Sequence, residues 1–317
     1  MKNLFLIFTV CCSVVSFGQD WKDFPIPVTL GDTLQWELQT ASDDFNYTSD
    51  ASPKSAAFSK KWDDFYHNGW AGPGKTVWSR SKSMVEDGIL KISSSRLEED
   101  KVSTGCITGK QRVTYPAYVE AYVKTMNSTL ASDIWMLSPD DTQEIDILEA
   151  YSDISETREP SNKWFGERIH LSHHVFIRKP FKDWQPKTPD TWYYQEGTIW
   201  QNDYHRYGVY WKNPWHLEYY IDGVLVKTTS GKEAIDPLYH TNSENPGDMN
   251  KDTRTGINKA MDIIINVEDQ TWRSINNKGL TPTDEELKIT EDHTLKVDWI
   301  RIYKPIDKAS IKENSGN

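Results

Sequence analysis

The sequence predicts an all-β chain folded as a β-sandwich (jelly roll) of antiparallel sheets. Three observations carry that expectation. Short runs alternating apolar and polar residues recur along the chain, glycine and proline punctuate them at close intervals, and sustained helical periodicity is scarce. At 317 residues the chain is long for one ordinary domain, yet all-β sandwiches of this size fold as single units and bury a sizeable core without disulfides or metals.

Residues 119–124 and 207–211 alternate as half-buried strands do. Residues 217–221 run into Asp222-Gly223 and on to 224–226. Asp-Gly suits the positive φ values of a two-residue turn, which makes this the strongest hairpin signal in the chain. Residues 261–267 and 296–303 read as further strands. A single short helix is expected over 283–287, with Thr283 as N-cap and Glu286 closing a capping box.

Both ends lie outside the expected domain, which spans 19–307. Lys2 precedes an apolar run over 4–15, broken by Thr9 and Ser13, and Ser16-Phe17-Gly18 offers small residues where a signal peptidase reads. The run is too short to span a bilayer, so residues 1–18 read as an export signal, leaving a secreted or periplasmic protein. Lipidation at Cys11 or Cys12 is the rival reading, but the residues before them are not the small ones that such processing prefers. Residues 308–317 are polar and unpatterned and are expected to fray. No internal repeat, linker or second domain is expected. Loss of the signal removes two of three cysteines, so Cys106 is expected as a small buried hydrophobe without a disulfide partner.

A net charge of −11 disfavours nucleic acid, anionic membranes and highly sulfated polymers as partners, and a monomer is expected. Many of the fourteen Trp and fifteen Tyr must be core, yet a chain this rich in Trp often stacks such rings on flat apolar faces, which the C–H faces of sugars present.

The chemistry concentrates in Glu144-Ile145-Asp146-Ile147-Leu148-Glu149. On a strand Glu144 and Asp146 share one face, and Ile145 and Ile147 the other. Glu149 has the wrong parity unless one extra residue, a β-bulge, returns it to the acidic face. Five residues at ~3.3 Å put the two glutamates roughly 16 Å apart along a straight strand. A retaining glycosidase needs its carboxyl groups about 5–5.5 Å apart, so the side chains, the bulge and a concave bend must close the gap. An ordinary strand with a solvated acidic face is the plain alternative, but like charges clustered on one face repel. Asp146 is expected to hold up the pKa of the acid partner and to hydrogen-bond the nucleophile.

That hexapeptide resembles the catalytic signature of glycoside hydrolase family 16 in its β-bulge form. WDDFYHNGWAGPG over 62–74, MNSTLASDIW over 126–135, HLSHHVFIR over 170–178 and LEYYIDG over 217–223 resemble the β-agarases of that family. The resemblance spans roughly residues 20–305. It implies a jelly roll with two curved sheets and a concave cleft. It also implies endo-hydrolysis of the β-1,4 bond of agarose with retention, giving neoagaro-oligosaccharides. Glu144 is then the nucleophile, Glu149 the acid/base and Asp146 the supporting carboxylate. Trp135 resembles a platform beside the cleavage point, Trp70 a stacking residue further along, and Arg178 a substrate-binding arginine. His170, His173 and His174 suggest a metal site, but no third ligand pattern accompanies them, and His173 is expected to line the cleft. Glu268, alternating out of a strand, is expected as a sugar contact. The family often carries a structural calcium, for which Asp298 matches the usual ligand, with the Gly88 carbonyl and the Asp43 side chain as partners. No cofactor is expected for catalysis.

Two other classes compete. A non-catalytic galactan-binding jelly roll could lose either glutamate, yet both are present. A polysaccharide lyase needs basic groups to neutralise a uronate, which an acidic chain with a carboxylate triad fits poorly. Among hydrolases, porphyran and carrageenan carry sulfates and call for a more basic cleft, so neutral agarose is the expected substrate and porphyranase or another family 16 galactanase the alternative.

Overall fold

A computed structural model describes residues 20–98, 100–155, 160–187, 190–238, 254–276 and 280–310, with the side chains of 160 and 161 excepted. The expected export signal lies outside these residues, as do residues 311–317 of the expected tail. The first part of that tail is docked and not frayed: Lys308 donates its backbone N–H to the Thr33 carbonyl and its Nζ to the Asp32 carbonyl.

Among the described residues two eight-stranded antiparallel sheets pack face to face, with a small three-stranded sheet beside them. The cleft sheet contains β1 (Trp62–Asp63), β2 (Cys106–Gly109), β3 (Ala131–Leu137), β4 (Gln143–Ala150), β5 (Arg168–Arg178), β6 (Phe181–Trp184), β7 (Trp192–Tyr194) and β8 (Asp262–Glu268). Its order is β6-β5-β4-β3-β8-β2-β1, with β7 paired to β5. The outer sheet is centred on Ala117–Lys124, paired with His205–Asn213 on one side and Thr294–Asp307 on the other.

Alternation explains the layers. Val119, Ala121 and Val123 point into the sandwich and are fully buried, meeting Ile145, Ile147, Ile263 and Ile265 of the cleft sheet in one core. Tyr118, Glu120 and Tyr122 point the other way, under the N-terminal segment; Phe24 packs on Tyr122 and Trp299. The predicted hairpin forms with Asp222 and Gly223 at φ 51° and 80° between His216–Ile221 and Val224–Ser230. The predicted helix forms over Asp284–Leu287, capped by Thr283 with the Glu286 capping box in place. Cys106 is buried and free. No helix among the described residues is long and apolar enough to cross a membrane.

Candidate active site

The middle of β4 carries the bulge. Against β3, Leu148 pairs with Ile134 and Asp146 with Trp135, so Ile147 has no residue opposite it. Against β5, Asp146 pairs with Ser172 and Glu149 with His170, three steps on β4 for two on β5. The extra residue reverses parity. Ile145 and Ile147 remain fully buried in the core, while Glu144, Asp146 and Glu149 line an open cleft of about 880 Å³ on the other face. Bulge and sheet curvature thus bring three carboxyls of one strand into one depression.

The strand next to it supplies the counter-charges. On β5, His170, Ser172, His174, Phe176 and Arg178 alternate onto the cleft face. His170 Nδ1 bonds a Glu149 oxygen, and the Tyr151 hydroxyl donates to the other. His174 Nδ1 bonds Asp183 at 2.8 Å, and its Nε2 lies 3.8 Å from Glu144 and 3.6 Å from Asp146. Burial lowers the His174 pKa, but Glu144, Asp183 and Asp146 outweigh that and it is pushed up to about 10. The ring is therefore a cation at neutral pH, flat against Phe176 at 5.3 Å.

Burial raises both Glu144 and Asp146, helped by the Asp146 charge at Glu144 and by the Glu149 charge at Asp146, so this hydrogen-bonded pair retains a proton above the usual carboxyl range. Burial also pushes Glu149 upward, but the charge and hydrogen bond of His170 and the hydroxyl of Tyr151 more than offset it, and the net direction is down. This corrects the expectation that Asp146 holds Glu149 up: Asp146 shares its proton with Glu144, and Glu149 has its own donors. Beyond Glu149, the Asn266 amide bridges Asp133 and Glu268 at 3.0 and 3.1 Å. Burial and the Glu149 charge push Glu268 up to about 8.

Trp135 lies on the cleft face, with Nε1 donating to Asn266 Oδ1 at 2.6 Å and its ring stacked on Tyr66. Trp70 lines the cleft while 48% exposed, edge-on to Tyr66 and Trp78. Glu268 lines it too. Arg178 shares the cleft face but stands beyond the lining residues, with its guanidinium over Phe176.

His173 is a correction. Its parity puts it on the core face opposite Ile145, fully buried, with Nε2 donating to the Ile235 carbonyl at 3.0 Å. Burial lowers its pKa to about 3, so it is neutral. The cleft histidines are His170 and His174. Leu171 held the missed signal: if it faces the core, so do 169, 173 and 175, and 170 and 174 face the cleft. Trp192 and Trp272, which also line the cleft, had no spacing to mark them.

The proposed calcium set fits only in part. The Asp43 carboxylate already accepts from the Phe45 amide, the Tyr47 hydroxyl and Trp62 Nε1, with Lys61 Nζ at 3.6 Å. A cation would have to displace these donors, so Asp43 does not fit as a ligand. Asp298 is buried close enough to Tyr122 and Tyr204 to act on both phenols, and Gly88 adopts φ 75° in a turn beside Asn46. A calcium ion at those two residues would need other oxygen partners.

The family description "Beta-porphyranase A-D, GH16 domain" matches residues 36–305. Beta-agarase B of Zobellia galactanivorans is 57% identical over 296 residues, 91% of this chain and 84% of that protein. A beta-agarase of Phocaeicola plebeius is 49% identical over 323 residues, 94% of this chain and 97% of that protein. Among solved structures, an inactivated mutant of beta-agarase B in complex with agaro-octaose is similar at a TM-score of 0.85 and 56% identity, covering 91% of this chain and all (100%) of that one. Identity at that level over nine-tenths of the chain, on the same fold, leaves no room for coincidence: the chain belongs to glycoside hydrolase family 16, in its β-agarase branch, and is a hydrolytic enzyme.

Proposed function

We propose that the protein is an exported endo-hydrolase that cuts the β-1,4 bond of agarose with retention and releases neoagaro-oligosaccharides. The observation that carries this reading is the bulge at Ile147, which aims Glu144, Asp146 and Glu149 into one cleft lined by tryptophans. Glu144 attacks the anomeric carbon and Glu149 protonates the departing oxygen, giving a glycosyl-enzyme. Glu149 then takes a proton from the incoming water, which displaces Glu144. Asp146 shares a proton with Glu144, and His174 balances the charge of the pair. Glu149 must start the first step protonated although its pKa in the open cleft is low. A bound chain expels water and favours the neutral carboxyl, and the proton-rich Glu268 lies beside it.

Trp70 and Trp135 stack on sugar faces, and Glu268 and Arg178 contact sugar hydroxyls. The chain acts as a monomer, on neither nucleic acid nor membranes. Agarose as substrate is supported by the beta-agarases at 57% and 49% identity. The name of the matching family description favours porphyran as a second reading. The experiment is to incubate the wild type and Glu144→Gln with agarose, porphyran and κ-carrageenan, following reducing ends and product size. Rapid shortening of agarose, even-numbered products and a dead variant are expected. Cleavage of porphyran alone keeps the mechanism and overturns the substrate. Agarose bound but no polymer cleaved makes the protein a binding module.

A further inference from the structure

His67 has no part in the chemistry above, yet it is held between two carboxylates from different parts of the cleft sheet. Its Nε2 lies 2.7 Å from Asp141 Oδ1 and its Nδ1 3.0 Å from Asp262 Oδ2. A neutral imidazole has one N–H and donates to one of them; an imidazolium donates to both. Burial lowers the His67 pKa, but the two carboxylates outweigh this and the net direction is up.

Asp141 lies two residues before β4, in the turn from β3. It adopts φ 53°, a left-handed conformation that costs a non-glycine residue about 1 kcal/mol, and its amide bonds the Ser138 carbonyl at 2.8 Å. Its second oxygen accepts from Asn68 Nδ2 at 2.8 Å, and Asn68 Oδ1 accepts the Trp70 amide at 3.1 Å. Asp262 opens β8 and is also held by Arg112 Nε at 3.0 Å. The loop bearing Trp70 is thus tied at two points to the strands that carry Glu144 and Glu268. The ring of Trp70 meets the rings of Tyr66 and Trp78 edge-on and is half exposed, so it depends on the loop for its place.

We propose that His67, bridging Asp141 and Asp262 as an imidazolium, is a positioning residue that fixes the Trp70 loop and so sets the affinity for the sugar that stacks there. This rests on the reading of Trp70 as a stacking residue. The groups facing the ring are Asp141 from the β3–β4 turn, Asp262 from β8, Arg112 across Asp262, and the Tyr66 ring at 4.5 Å. Arg112 shares the Asp262 charge, which leaves Asp141 the stronger claim on the proton. As pH rises through the His67 pKa one of the two bonds is lost and the loop slackens, so KM rises on the alkaline side while kcat follows the carboxyl cluster.

The test is steady-state kinetics on agarose across pH for wild type, His67→Gln, Asp141→Asn, Trp70→Ala and the double variant His67→Gln/Trp70→Ala. Acrylamide quenching of tryptophan emission is read in parallel, with Trp70→Phe isolating the signal of Trp70. Asp141→Asn keeps a residue tolerant of positive φ and loses the charge, so it serves if His67→Gln fails to fold. Expected is a rise in KM of up to about tenfold in His67→Gln and Asp141→Asn, the size of one lost stacking contact, with kcat little changed. The alkaline rise in KM disappears in His67→Gln, Trp70 becomes more quenchable, and the double variant adds nothing to Trp70→Ala. A KM for His67→Gln equal to wild type while Trp70→Ala raises it overturns the proposal, as does survival of the alkaline rise. A Trp70→Ala enzyme with unchanged KM instead overturns the stacking reading beneath it.

Discussion

On the outer sheet Glu120 is fully buried, and Arg301 meets it with Nε at 2.8 Å and Nη2 at 2.5 Å. Arg206 stands 3.6 Å away and the Tyr118 hydroxyl donates at 2.8 Å. On the cleft sheet Asp133, Asp146 and Glu268 are buried as well, with Glu144 and Glu149 beside them, and among the described residues none of the five has an Arg or Lys ion-pair partner. The basic groups that meet them are two imidazoles, His170 and His174. The difference separates structure from chemistry. A buried carboxylate met by guanidinium costs little more than its desolvation and holds two segments together. Five carboxyls without such partners repel, four of them (Asp133, Glu144, Asp146 and Glu268) retain protons above the usual range, and the cluster persists at the expense of stability, which is the signature of a working site.

The contrast is broken most directly at its two centres. Glu144→Gln is expected to lower kcat by about three orders of magnitude or more while the thermal midpoint stays level or rises, because one repelling charge is gone; activity assays with calorimetry check both. Glu120→Gln is expected to do the reverse. It leaves Arg301 buried without its anion and costs about 3 kcal/mol in denaturant unfolding, the low end for a broken buried pair because Arg301 keeps the carbonyls of Trp21 and Phe24, with kcat unchanged at 25 °C. A Glu120→Gln protein as stable as wild type would erase the distinction.

Two smaller effects sharpen it. His174→Gln removes the cation facing Glu144 and Asp146, so the pair holds its proton more tightly. The acid limb of kcat against pH is expected to move to higher pH, with activity at neutral pH down by about tenfold. Glu268→Gln reports on stability. With its pKa raised from 4.5 to about 8, Glu268 keeps in the folded chain a proton that the unfolded chain releases. Stability therefore falls as pH rises from about 4.5 through 8, and Glu268→Gln is expected to flatten that fall in thermal melts.

Much of this was legible in advance. The Asp222-Gly223 hairpin and the Thr283 capping box rest on local chemistry, turn conformation and a cap contact within three residues, and both appear as read. The bulge was legible because Ile145, Ile147 and three carboxyls leave one arrangement that keeps isoleucines in and acids out. His173 was misplaced because three histidines in five residues carry two parities and nothing local says which faces the core. The pKa order of Glu144 and Glu149 was also out of reach, since His170, His174 and Asp183 enter from neighbouring strands.

The sequence by itself determined the all-β class, the family, the strand that bears the carboxyls and the need for an extra residue within it. These depend on side-chain period and on motifs that lie along the chain. Only the tertiary structure decided which histidines face the cleft, which carboxyl keeps the proton, and which buried acid is neutralised by arginine. Each of those depends on register between strands far apart in sequence, and in a buried site a few ångströms between charges decide protonation.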